Sequence, residues 1–139
     1  MNPNIDIEEK HYPDGTLEFR RYYYNNTLHR EDGPAYESFY ATGMPEQREW
    51  HKYGNLHRET GPAYESYYPT GQLADVEWYL DGKRHREDGP AIMHYTADGS
   101  LTGNDYYLNG KFLFEHEHHR RVLLLRLSTA TINNEKVSL

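Results

Sequence analysis

The chain contains no cysteine among its 139 residues. That excludes a disulfide framework, a thiolate metal site and a thiol nucleophile, and it fits a reducing compartment. Aliphatic residues are scarce between Tyr12 and Tyr95, and no run approaches the roughly 18 consecutive apolar residues that a membrane-spanning helix needs. The first residues, Met1 to His11, lack the basic-then-apolar pattern of a secretory signal, so a soluble protein of the cytoplasm is the expectation. Basic charge is in deficit: 15 Lys and Arg stand against 22 Asp and Glu, a formal net charge of -7. Attraction of the whole molecule to nucleic acid or an anionic membrane is thereby disfavoured. No glycine-rich phosphate loop leads into a helix, and no serine sits in a nucleophile-elbow context.

Tyrosine is what the chain has in quantity, with 14 residues in a sequence that is only 36% hydrophobic. A ring with a polar tip suits a thin layer in which one edge of each side chain stays wet. The tyrosines belong to a repeat. His-Arg-Glu-Asp-Gly-Pro-Ala occurs at His29 to Ala35, returns at His57 to Ala63 with Thr60 for the Asp, and returns unchanged at His85 to Ala91, a spacing of 28 residues. Gly15, Gly43, Gly71 and Gly99 share one phase of that period, and Tyr22, Trp50, Trp78 and Tyr106 share another.

Two kinds of turn punctuate each unit. One carries the phased Gly15, Gly43, Gly71 and Gly99, where glycine supplies a positive φ. The other is Tyr53-Gly54, Asp81-Gly82 and Asn109-Gly110, with Asn25-Asn26 in the first unit; Asn-Gly and Asp-Gly are hairpin signals. Between them lie short Tyr-, Trp- and Val-rich segments. In the third unit Ala74, Val76, Trp78 and Leu80 alternate with Asp75, Glu77 and Tyr79, the period of two that marks a strand. Interior turns at this frequency exclude a helical solenoid. The spacing predicts an all-β repeat array, about eight antiparallel strands in an elongated meander of hairpins, each unit burying its aromatic face against its neighbours.

Residues 1–11 read as an N-terminal tail, residues 12–113 as four repeats (12–39, 40–67, 68–95 and a partial 96–113), and residues 114–139 as a C-terminal cap and tail. In the fourth unit Leu113 to His119 replaces the heptapeptide, followed by the aliphatic run Val122 to Leu127. Residues 114–128 read as a short helix packed on the last hairpins, with a final strand as the competing assignment. Periodicity leaves both open.

The segments Asp81-Gly82-Lys83 and His85 to Ala91, with their copies at His29 to Ala35 and His57 to Ala63, resemble MORN-type repeats. The likeness is to the variant class built on the His-Arg-Glu-Asp-Gly-Pro-Ala heptapeptide, encountered in bacteriophages, giant viruses and some bacteria, and it covers about residues 12 to 113. The 28-residue unit is longer than that family's ordinary one. The resemblance implies a β-hairpin array used for interaction. It implies no activity, because fold does not give function.

The heptapeptide admits two readings. In the structural one, Asp32, Asp88 or Thr60 bonds the backbone of the turn, Gly33, Gly61 and Gly89 take positive φ, and Arg30 pairs with Glu31 or a Glu of the next unit. In the functional one, Arg30, Arg58 and Arg86 line one edge with His29, His57 and His85 beside them. Guanidinium forks in a row would clasp phosphates or carboxylates, and Tyr22, Trp50, Trp78 and Tyr106 would add stacking. Glu31, Glu59 and Glu87 stand against this by neutralising the row. Tyr22, Tyr23, Tyr24, Tyr36, Tyr40, Tyr64, Tyr67, Tyr68, Tyr79, Tyr106 and Tyr107 are too many for a thin sheet to bury, so they serve as cross-strand ladders, as partner anchors, or as one on each face.

His116, His118 and His119 would offer two nitrogens to zinc or nickel on either a helix or a strand, but the remaining ligands are unspecified, and a solvated, pH-sensitive polar turn is the expectation. Polar groups recur in threes where an active site is singular, so no enzyme and no cofactor is expected. The function expected is non-enzymatic docking of a protein partner, with the resemblance implying a viral or phage accessory factor acting on a host component. Two alternatives stand beside it: sequestration of an anionic small molecule such as a nucleotide by the Arg edge, and a structural role in a homo-oligomer, for instance a dimer through Val122 to Leu127.

Overall fold

A computed structural model of the chain describes residues 4–137, with side-chain surroundings described as far as residue 133; the ends of the expected tail and cap, 1–3 and 138–139, lie outside the described residues. The first segments are β1 (Asp6–His11), β2 (Leu17–Tyr24), β3 (Thr27–Leu28) and β4 (Tyr36–Phe39). Then come β5 (Pro45–Glu49), β6 (His51–Lys52), β7 (Asn55–Leu56), β8 (Tyr64–Tyr67) and β9 (Leu73–Glu77). β10 (Tyr79–Leu80), β11 (Lys83–Arg84), β12 (Ile92–Tyr95), β13 (Leu101–Leu108), β14 (Lys111–Leu113) and α1 (Glu115–Val137) complete the order.

One large antiparallel sheet runs β1-β2-β4-β5-β8-β9-β12-β13-β14, with β3 paired to β2; β6-β7 and β10-β11 are separate two-stranded hairpins. The chain is thus an antiparallel β meander ending in a helix. It divides more finely than the expected eight strands, because at Trp50 and Trp78 the ladder breaks and the chain passes into a two-residue hairpin. The tips of these hairpins carry positive φ at Asn25, Asn26, Tyr53, Gly54, Asp81, Gly82, Asn109 and Gly110, as a two-residue primed turn demands. The opposite turns place Gly15, Gly43, Gly71 and Gly99 at φ of +88, +84, +88 and +87, each next to a bulged step in the strand pairing.

Burial is thin. Ala35, Ala63 and Ala91 have no exposed surface, and each sits between two strands with both backbone groups used. Ala63, for instance, donates its N–H to Glu77 O at 2.9 Å and accepts Trp50 N–H at 2.8 Å. A methyl is what that closely bonded position accommodates. Across one face the register aligns Arg21, Tyr36, Glu49, Tyr64, Glu77, Ile92 and Asp105 in a single row over seven strands, so Tyr36 and Tyr64 stand directly opposite charged neighbours. The aliphatic cluster of buried residues, Leu108, Leu113 and Val122, lies where the helix meets the last hairpin.

Two expectations change. The expected tail at 1–11 contains β1, which pairs with β2 from Asp6↔Tyr23 to His11↔Leu17. All six of its residues are exposed, so no apolar alternation marks it; backbone pairing and the ion pairs Lys10–Glu18, Arg20–Glu9 and Arg21–Glu8 hold it instead. At the other end the competing strand gives way to a helix, which is longer than expected, at 23 residues.

Candidate functional site

Each heptapeptide arginine folds back over the ring eight positions before it. The guanidinium carbons of Arg30, Arg58 and Arg86 lie 4.1, 3.9 and 3.9 Å from the ring centroids of Tyr22, Trp50 and Trp78. The same three side chains donate through Nη1 to Pro34 O, Pro62 O and Pro90 O at 3.3, 3.1 and 3.1 Å. The glycine of the heptapeptide makes room for this. Contrary to expectation, Gly33, Gly61 and Gly89 do not take positive φ; a Cβ on them would stand 2.9, 3.1 and 3.1 Å from the guanidinium carbon. Space, not backbone conformation, demands glycine there.

The arginines' acidic partners also differ from those expected. Arg30 Nε donates to Asp32 Oδ1 at 2.7 Å and Arg86 Nε to Asp88 Oδ1 at 2.8 Å, bonds that hold both carboxyls below the usual Asp range. The adjacent Glu31, Glu59 and Glu87 face the histidines instead, at 4.0, 3.6 and 3.9 Å from His29, His57 and His85 Nε2. In the second unit Thr60 replaces the Asp, and Arg58 has Glu65 Oε1 at 3.6 Å from its Nη1.

The three histidines are mostly buried, and their Nδ1 atoms join one unit to the next. His29, His57 and His85 accept the backbone N–H of Tyr53, Asp81 and Asn109 at 3.1, 3.0 and 3.1 Å. Those are the first residues of the hairpin tips, whose donors face inward because of their positive φ. An imidazole that accepts at Nδ1 carries its proton on Nε2. At the second unit the Asp81 carboxylate also stands 3.0 Å from His57 Nδ1.

A second row of inter-unit bonds runs along the opposite turns. Tyr12, Tyr40 and Tyr68 donate their hydroxyls to Phe39 O, Tyr67 O and Tyr95 O at 2.9, 2.7 and 2.9 Å. Nothing in residue spacing pointed to these partners, since all are backbone carbonyls. Elsewhere Tyr67 bonds Glu65, and burial followed by that carboxylate pushes its phenol up to about 12.

Between the first and second heptapeptide loops lies a groove of about 450 Å³ lined by Arg30, Asp32, Trp50, Lys52, His57, Arg58 and Thr60, among others. After the third loop the helix takes over. Tyr106, which has no arginine eight residues on, packs against His118 and His119 with centroids at 5.0 and 5.9 Å. His118 is fully buried and donates from Nε2 to Arg86 O at 2.6 Å, so the run expected as a solvated polar turn anchors the helix. His116 lies apart from it, stacked on Phe114. Leu123 and Arg126 still line a groove with Glu87 and Asp88 of the third loop, yet Leu123, Leu124, Leu125, Leu127 and Ile132 are about half exposed, from 48 to 58%. Among the described residues no helix is long and apolar enough to cross a membrane.

No protein-family model, curated protein or solved structure matches this chain.

Proposed function

We propose that this chain is a non-enzymatic binding protein of the MORN-like repeat class that docks a protein partner. The observation that carries the reading is the half-exposed aliphatic stretch of α1 beyond the anchored His118 and Val122, where Leu123, Leu124 and Leu127 share one side of the helix and Leu125 stands about 200° round from Leu123. Apolar side chains clustered on a surface gain free energy when a partner covers them. The edge of heptapeptide loops supplies charged groups already fixed in orientation, because each arginine is held by a ring, a proline carbonyl and, in two units, an aspartate. Fixed charges of that kind set register and on-rate more than affinity. If the chain has the viral or phage origin its repeats imply, the partner is a host component.

A second reading, self-association, is favoured by the same flank, since a helix with Leu123 and Leu127 one turn apart can face its own copy across a two-fold axis. A photo-crosslinking residue at Leu124, introduced in cells of the source organism or its host, separates the two. Adduct to one other protein, lost with Leu127→Glu, supports docking; a self-adduct matched by a dimer mass in light scattering supports the second reading. Absence of both adducts sinks the use of this helix in either.

A further inference from the structure

We infer that the second repeat unit carries an oxyanion-binding site, formed by Arg58 and Thr60 on the wall of the groove between the first two loops. The argument is a comparison of three nearly identical loops within one chain. In the first and third, a carboxylate oxygen of Asp32 or Asp88 receives the Nε–H of the arginine at 2.7 or 2.8 Å. In the second, Arg58 is held in the same way on Trp50 at 3.9 Å and by Pro62 O at 3.1 Å, but the residue due to receive its Nε–H is Thr60. Among the described residues nothing accepts from Arg58 Nε. A threonine hydroxyl is neutral and lacks the second oxygen of a carboxylate, and the one carboxylate that does approach Arg58, Glu65, stands 3.6 Å from Nη1 and leaves the Nε–H unbonded.

The position that Asp32 Oδ1 and Asp88 Oδ1 take on Arg30 and Arg86 marks where an anion oxygen would receive the Arg58 Nε–H. The guanidinium that awaits it is pre-oriented by the ring beneath, so little side-chain entropy is lost when the bond forms. Lys52 lines the same groove and has no ion pair among the described residues, while of the groove's carboxylates Asp32 is bonded to Arg30 and Glu31 and Glu59 face His29 and His57 at 4.0 and 3.6 Å. Its flexible ammonium would follow a ligand as a second, mobile charge. The ligand class is a carboxylate or phosphate group, presented either by a free small anion or by an acidic segment of a protein. The site stands independently of whether α1 docks a partner.

The test follows the arginine Nε–Hε resonances of the full-length, nitrogen-labelled protein. Inorganic phosphate is titrated in one arm and a tri-glutamate peptide in the other. Arg58 is expected to respond at a concentration at least about tenfold below Arg30 and Arg86, a difference of about 1.4 kcal/mol. Half-saturation first in the phosphate arm identifies a free anion as the source, and first in the peptide arm an acidic segment. Thr60→Asp, which restores the residue of the other two loops and so leaves folding intact, should abolish the Arg58 response. Asp88→Thr should confer one on Arg86. Equal responses from all three arginines in both arms, or an Arg58 response that survives Thr60→Asp, would overturn the site.

Discussion

A Cβ built on Gly89 would stand 3.1 Å from the guanidinium carbon of Arg86, so this glycine leaves the arginine room to sit 3.9 Å from the centroid of the Trp78 ring. Gly89→Ala should shift the guanidinium on the ring and lower stability by up to about 1 kcal/mol, the scale of a partly desolvated cation–π contact. Urea unfolding followed by tryptophan fluorescence measures it. In an Arg86→Ala background the same alanine should cost only a few tenths of a kcal/mol, since the clash has gone. An undiminished cost would place the role of the glycine elsewhere.

The histidine row predicts a local signature. His57→Leu removes the acceptor for the Asp81 N–H and should destabilise by about 1 kcal/mol while speeding amide exchange at Asp81. His57→Asn, whose side-chain oxygen stands near the place of Nδ1, should restore much of the protection. Unchanged exchange at Asp81 in the leucine variant would mean that the bond does not hold the hairpin tip.

Tyr68→Phe keeps the ring and deletes only the donor to Tyr95 O. A loss of about 0.5–1.5 kcal/mol is expected, and the corresponding Tyr40→Phe loss should add to it, because the two bonds share no atom and lie one unit apart. Thermal or urea melts of the two single variants and the double variant check the sum.

Acid should weaken the first and third units through Asp32 and Asp88. The folded carboxyls titrate below their unfolded range because an arginine bonds them, so their contribution is present above the unfolded value and is lost as pH falls through the folded one. Asp88→Asn should flatten the stability profile on that acid limb, and Thr60→Asp should steepen it. Melting temperatures taken from neutral pH down to about pH 3 report both.

Much of the fold was legible because glycine and alternation leave marks in residue identity. Asp81-Gly82 and Asn109-Gly110 announced hairpin tips, and Val76 alternating with Asp75 and Glu77 announced β9. What stayed hidden has backbone on one side of the bond. The tyrosine and histidine rows end on carbonyls and N–H groups 27 and 24 residues away, and main-chain groups carry no identity to read. β1 was hidden for another reason, since a fully exposed edge strand has no buried face to give it a period. Gly33, Gly61 and Gly89 were misread because a glycine needed for space looks the same in sequence as one needed for φ. In the candidate site the Arg, His and ring positions were visible from the period, whereas the direction in which each arginine folds depends on packing.

The tyrosine and histidine bonds that run between units reach the next unit and no further, each row at its own constant offset. A chain built this way has a natural unit of length. Excising or duplicating 28 residues would leave each remaining tyrosine and histidine facing a partner of the right kind, and the helix would still find an Arg86-like carbonyl to close on. An insertion of any other size would put both rows out of step at once. A variant 28 residues longer or shorter is therefore expected to keep both rows of bonds paired.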